Sequence, residues 1–168
     1  MKLPLKLKGF NLFFEGLNMY GMVADVTRPK VTIKTEDYRA GGMLTDVKIE
    51  QGLEALELEI TAGGYTAELL REMGGTIGGK TLRYRGALQQ DDSEDYAELV
   101  GEARGRIIEA DPGSDKAGEG GEHKFKMALT YWRETLDGKE LVEIDALGNK
   151  MAIGGKDQKA GMRRALGL

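Results

Sequence analysis

The stretch Glu122 to Asp145, EHKFKMALTYWRETLDGKELVEID, constrains the fold more than any other part of this 168-residue chain. From His123 to Glu134 the side chains alternate, with Phe125, Met127, Leu129 and Tyr131 on one face and Lys124, Lys126, Ala128, Thr130 and Trp132 on the other. A period of two held for that long predicts an extended strand with one dry face and one wet face. Asp137-Gly138 is a dipeptide that accepts positive φ at both centres of a type I′ turn, and Val142 and Ile144 resume the apolar alternation on the way back. The first arm of this hairpin is about twice the usual strand length of roughly 5–6 residues, so it needs a broad sheet beside it. The natural partner is Asp95 to Glu109, where Ala97, Leu99, Ala103 and Ile107 alternate with Glu98, Glu102, Arg104 and Arg106. The expectation is a mainly β protein organised on an antiparallel sheet.

The remaining segments fit that frame. Phe10 to Glu15, ended by Gly16, predicts a first strand, with Gly21 to Val26 as its hairpin partner. Pro29 separates this pair from a short strand, Val31 to Lys34. From Thr35 to Asp46, TEDYRAGGMLTD, periodicity disappears while charge, an aromatic and Gly41-Gly42 crowd together, which predicts a loop of about twelve residues. Val47 to Gln51 and Glu54 to Thr61 are strands; in the second, Leu56, Leu58 and Ile60 oppose Glu57 and Glu59. Thr66 to Met73 predicts the one internal helix, N-capped by Thr66, with Ala67, Leu70 and Met73 as its apolar stripe and Gly74-Gly75 as its stop. Thr81 to Gln89 returns to strand, with Leu82, Tyr84 and Leu88 against Arg83, Arg85 and Gln89. An acidic turn, Asp91 to Asp95, and a Gly-rich loop, Asp111 to Gly121, bracket the next long strand. Met151 to Ile153 adds a short strand, and the tail from Asp157 reads as a basic helix weakened by Gly161.

At this length the expectation is a single domain, residues 1–168. A net charge of −4 with no dominant Lys/Arg cluster argues against gripping nucleic acid through counterion release. There is no cysteine, so no disulfide framework or thiolate metal site. The Lys/Leu alternation of the N-terminus is unlike a signal peptide, and no apolar run approaches membrane-spanning length, so a soluble protein without a membrane anchor is expected. Gly74 to Thr81, GGTIGGKT, matches the phosphate-loop pattern letter for letter, but that site needs a strand before the loop and a helix after it, and here the order is reversed. The loop carrying Asp111, Asp115, Glu119 and Glu122 fails the EF-hand pattern, where Gly113 and Lys116 occupy decisive positions. His123 is the only histidine, and Ser93 and Ser114 lie in acidic loops without a base nearby. No catalytic constellation, metal site or cofactor site emerges. A sheet protein with open strand edges and no visible chemistry reads as one that assembles.

Several stretches carry a resemblance: Thr35-Glu36-Asp37-Tyr38-Arg39-Ala40-Gly41-Gly42-Met43, Gly52-Leu53-Glu54-Ala55, Asp111-Pro112-Gly113 with Lys116-Ala117-Gly118-Glu119, and Asp137-Gly138-Lys139-Glu140-Leu141-Val142-Glu143-Ile144-Asp145. With the ending Gly161-Met162-Arg163 and Gly167-Leu168, they make the chain resemble, end to end, the major tail tube proteins of contractile-tailed bacteriophages and R-type pyocins. The resemblance implies a β-sandwich or barrel-like subunit with one short side helix, not an enzyme. It implies hexameric rings whose inner strands join into a continuous lumen barrel, and rings that stack into a tail tube. The implied partners are further copies of the chain, a tail sheath protein, and baseplate and tail terminator proteins, with DNA passing through the lumen without specific binding. The implied location is the virion, after assembly in the host cytoplasm. On this reading Tyr38, Arg39, Gly41, Gly42 and Met43 make ring-to-ring contacts. The wet-face acids Glu57, Glu59, Glu98 and Glu102 line the lumen, paired across strands with Arg83, Arg85, Arg104 and Arg106. The alternatives are the tube of a DNA-free pyocin or secretion-type machine, and a nucleotide-binding protein using Gly74 to Thr81.

Overall fold

The alternation from His123 onward becomes the central strand of the computed structural model, which describes residues 1–168. In chain order the strands are β1 (Lys6–Phe14), β2 (Leu17–Asn18), β3 (Val23–Thr27), β4 (Ile33–Tyr38), β5 (Val47–Leu53), β6 (Leu56–Ala62), β7 (Lys80–Gln89), β8 (Tyr96–Asp111), β9 (His123–Leu136), β10 (Lys139–Asp145), β11 (Lys150–Ile153) and β12 (Lys156–Asp157). The helices are α1 (Ala67–Arg71) and α2 (Ala160–Leu166). Ten strands make one antiparallel sheet, and β4 with β5 makes a separate hairpin.

Both edges of β9 are occupied. One pairs β8 and, beyond it, β7, β1 and β2. The other is shared: β6 pairs from Leu56 opposite Leu129 to Ala62 opposite His123, and β10 takes over with Asp145 opposite Tyr131. The sheet forks at Thr130, which is a β-bulge: Gly105 faces Leu129 and Arg104 faces Tyr131, leaving Thr130 without a counterpart. Its carbonyl accepts the Ala146 N–H at 2.9 Å instead. An extra residue moves a period-two pattern to the other face. Phe125, Met127 and Leu129 therefore face the core before the bulge, and Trp132 does so after it. Strict alternation puts Trp132 on the wet face and Tyr131 on the dry one. The bulge reverses both, leaving Trp132 1% exposed and the Tyr131 ring under Arg104 on the wet side.

The dry faces of β1, β6, β7, β8, β9, β10 and β11 meet, with Leu69 of α1, in one cluster of 18 buried residues. The Trp132 ring lies so close to β8 that a Cβ at Gly101 would overlap it. The turn at Asp137 and Gly138 has φ of 48° and 78°, as a type I′ turn requires.

Other expectations need correction. Gly21 to Val26 is not the partner of the first strand: Leu17–Asn18 takes only the last two residues of β1, the chain turns away at Gly21 (φ 82°), and β3 pairs with β6. The partner of β1 is β7, whose Leu82 and Tyr84 match the inward Phe14 and Leu12. The stretch from Thr35 is strand as far as Tyr38, so the loop shrinks to residues 39–46; charge on both faces of this hairpin removed the periodic signal. In α1 the inward residue is Leu69, while Leu70 and Met73 are exposed. A helix of five residues has a single inward position, and an i,i+3 stripe does not apply. Thr66 makes no side-chain cap; its N–H donates to Nδ1 of His123 at 3.3 Å. His123 is buried against Phe125 and Tyr65. The tail does form a helix, α2, but none of its side chains is buried.

Filling the slot beside Trp132 tests the core geometry. Gly101→Ala is expected to destabilise the chain by about 1–3 kcal/mol, the usual range for overpacking. Chemical denaturation would show it, and an unchanged midpoint would mean that Trp132 is not seated against β8.

Candidate functional site

The structure brings the residues Tyr38, Arg39, Gly41, Gly42 and Met43 together at the tip of the β4–β5 hairpin, which stands apart as an arm. Tyr38 closes β4, opposite Val47. The Met43 N–H donates to the Ala40 carbonyl at 3.2 Å, closing a β-turn around Gly41 and Gly42. Gly42 sits at φ 86°, a left-handed value that favours glycine. Gly41 has no such constraint, and a Cβ there meets nothing within 4 Å. Arg39 lies 3.8 Å from Asp46 and reaches the Leu44 carbonyl.

Cross-strand register divides the arm into two faces. Asp37 opposite Lys48, paired at 2.7 Å, and Thr35 opposite Glu50 make the polar face. Tyr38 opposite Val47 and Glu36 opposite Ile49 make the other, and Leu44 stands beyond them at 96% exposed. Tyr38, Val47 and Ile49 are all exposed. Leu44, Val47 and Ile49 escape a sequence reading because a strand exposed on both sides shows no burial period, although the Val47/Ile49 alternation is its one visible trace.

The second feature is the wet face of the main sheet. Register places Glu57, Glu59, Glu98 and Glu102 on that one face: Glu57 and Glu59 oppose Ala128 and Lys126, Glu98 opposes Ala87, and Glu102 lies between Arg83 and Arg133. A row of alternating charge crosses four strands here. Arg83 approaches Glu102 at 3.4 Å, Glu102 approaches Arg133 at 3.9 Å, and Arg133 approaches Glu140 at 3.3 Å. Arg85 pairs with Glu98, and Lys126 lies 3.9 Å from Glu59. At the end of the row, Glu143 accepts from Tyr131 and Lys150, each at 3.2 Å. The hydrogen bond between Glu140 and Glu143 holds the Glu140 carboxyl above the usual carboxylate range and Glu143 below it. Two of the four expected arginines behave otherwise. Arg104 stacks on Tyr131 at 4.2 Å, and Arg106 donates to the Gly75 carbonyl at 3.3 Å; neither pairs with an acid, because the bulge turns Tyr131 under the first and the Gly-rich connection lies beside the second.

That connection does not make a phosphate cradle. It leaves α1 and enters β7; the Gly74 N–H is used by the Ile107 carbonyl at 3.0 Å, the Gly79 N–H by the Thr76 carbonyl at 3.1 Å, and Lys80 pairs with Glu72. No group of three or more His, Asp or Glu side chains is arranged to hold a metal ion.

Comparison with known proteins gives this architecture its relatives. The phage tail tube protein FII family matches residues 4–167. The chain is 37% identical over 172 residues to the tail tube protein of Escherichia phage P2, covering 100% of both chains. It is 40% identical over 149 residues to the major tail tube protein of Serratia phage KSP20, covering 88% of this chain and 86% of that protein. Among solved structures, it is similar in fold to a chain of the sheath–tube complex of an extracellular contractile injection system in its extended state, with a TM-score of 0.57 and 12% identity over 79% of this chain and 90% of that one. A chain of the sheath/tube terminator of the same kind of system gives a TM-score of 0.58 and 10% identity, covering 81% of this chain and 98% of that one. A whole-length family match and a whole-length relative above one-third identity agree with the antiparallel β architecture, and this chain belongs to the phage tail tube protein FII family.

Proposed function

We propose that the chain is a single-domain, non-enzymatic subunit that closes into hexameric rings, that the rings stack into the inner tube of a contractile tail, and that DNA leaves through the lumen. Phage tail tube proteins are virion components; assembly in the host cytoplasm, inside a sheath and between a baseplate and a terminator, completes the reading. The solved relatives that share the fold come from sheath–tube and sheath/tube-terminator assemblies, which supports those partners. The observation that carries the assembly role is the arm: a two-stranded hairpin is marginally stable alone, and this one presents Tyr38, Leu44, Val47 and Ile49 with no cover from its own chain. Arg39, Gly41, Gly42 and Met43 at its tip join that face as the ring-to-ring contact.

The lumen on this reading is the wet face with Glu57, Glu59, Glu98 and Glu102. Its chemistry suits a conduit for a polyanion. Three of its arginines are engaged with acids, Arg83 and Arg133 with Glu102 and Arg85 with Glu98, while Arg104 and Arg106 on the same face have no acid partner. Where the arginines are so paired, DNA gains little by releasing its counterions, which is the main source of non-specific affinity.

Two experiments test these assignments. Gly41→Val leaves the subunit fold intact, since nothing crowds a Cβ there, and is expected to shorten or abolish tubes seen by negative-stain electron microscopy; full-length tubes would remove Gly41 from the contact. The double substitution E98Q/E102Q frees Arg85 and Arg83, with Arg133 still held by Glu140, and its tubes are expected to retain duplex DNA with a log–log salt slope steeper by roughly 0.9 for each phosphate gripped. DNA retention equal to the unsubstituted tube would place that face outside the lumen.

A further inference from the structure

The arm has no core of its own, so its direction must be set from its root. The chain enters it through residues 28–32 and leaves at Glu54, whose N–H donates to the Thr32 carbonyl at 2.9 Å. Of its strand residues only Leu53 packs against the core cluster. Two long-range ion pairs reach it from the body. Arg28, the residue that follows β3 and begins the lead into the arm, pairs with Glu134 of β9 at 2.5 Å and lies 5.6 Å from the Tyr84 ring centre. Lys159, at the start of α2, pairs at 2.5 Å with Glu50 on the polar face of β5. One holds the segment that leads from β3 into the arm and the other the strand that leaves it.

The second pair also gives α2 a purpose. This helix buries no side chain, so apolar packing does not hold it. Polar links do: Asp157 accepts the Lys159 N–H at 3.0 Å and pairs with Arg163, and Arg163 donates to the Asn149 carbonyl at 3.1 Å. All of these links fix the backbone that carries the Lys159 ammonium. The Arg163 guanidinium holds the Asp157 carboxyl below the ordinary value of 3.8. A depressed carboxylate contributes fully above its unfolded value, and the contribution is lost as pH falls through the lower folded one, so acidification is what loosens this anchor.

We infer that Arg28–Glu134 and Lys159–Glu50 are positioning braces that aim the β4–β5 arm before assembly, and that α2 serves to present Lys159 to it. This rests on the reading of the arm as the contact between copies. Exposed ion pairs contribute little to global stability. Aiming an arm asks less, because it requires only that one orientation be favoured over neighbouring ones.

The absence of cysteine makes the test direct. L44C and S93C introduce two spin labels, one on the arm tip and one in a turn remote from both braces, and their separation is measured by pulsed electron resonance on the unassembled chain. A single narrow distance distribution is expected in the parent. The reversals R28E and K159E should broaden it, and the swaps R28E/E134R and K159E/E50K should narrow it again. Unlabelled chains should lose tube yield by about threefold to tenfold with each reversal and recover it in the swap. Should a reversal fail to fold, E50Q and E134Q carry the same measurement with less disturbance. Distributions as narrow in the reversals as in the parent, or swaps that restore nothing, would overturn the inference. A parent chain that never forms tubes would instead refute the assembly reading, with the distance measurement still deciding the braces.

Discussion

One inserted residue governs the architecture. Thr130 has no counterpart on β8, and that irregularity lets a single strand serve β6 along half its edge and β10 along the other half. Without the bulge, strict alternation would carry Trp132 to solvent and Arg133 toward the core. Burying an uncompensated charge costs several kcal/mol more than burying an indole gains, so the register is strongly specified. The fork then distributes the remaining elements. The β6 branch leads back to the arm, and the β10 to β12 branch leads to α2, so both strands that emerge from the fork converge again at Glu50 and Lys159.

The two faces of the main sheet do different physical work. The dry face supplies cohesion through the 18-residue cluster. The wet face contributes little to folding, since cross-strand charge pairs stabilise by roughly 0.2–1 kcal/mol each relative to alanine. On the proposed lumen reading, its ordered alternation, Arg83 to Glu102 to Arg133 to Glu140, serves what the surface must not do. A wall with free arginines would hold a polyanion, and a wall of unpaired acids would repel itself. The paired rows lessen both, and Arg104 and Arg106 are the arginines of this face left without an acid.

Legibility in the sequence followed burial. Where a strand has one dry face, as in Leu56, Leu58 and Ile60 or Leu99, Ala103 and Ile107, period two identified both the element and its orientation. The Asp137-Gly138 turn was equally readable because its backbone demands those residues. Three things left no local trace. Thr130 looks like any wet-face residue, since a bulge is defined by the partner strand and not by the bulged one. Partner choice between distant segments, such as β1 with β7 and β3 with β6, depends on which inward side chains match across the ladder. The arm is wet on both sides in the isolated chain, so its apolar strip belongs to a surface that the subunit alone does not bury. Family resemblance points to the tip residues, whereas register alone singles out the flanking Val47 and Ile49, and exposure singles out Leu44.

The separation between cohesion and assembly has a consequence for how a tube can form. Apart from Leu53 at the root, no strand residue of the arm packs against the central cluster, so the arm beyond it can be reshaped without loosening the fold. A freely swinging hairpin would nevertheless assemble poorly, because each contact would first have to order it, and ordering side chains and loops is a principal cost of association. Packing the arm onto the body would remove that cost but would hide the apolar face needed by the neighbour. Ion pairs at the root resolve the conflict. They restrict direction while leaving Tyr38, Leu44, Val47 and Ile49 exposed: Arg28–Glu134 holds the segment leading into the hairpin, and Lys159–Glu50 acts on its polar side, away from the apolar face.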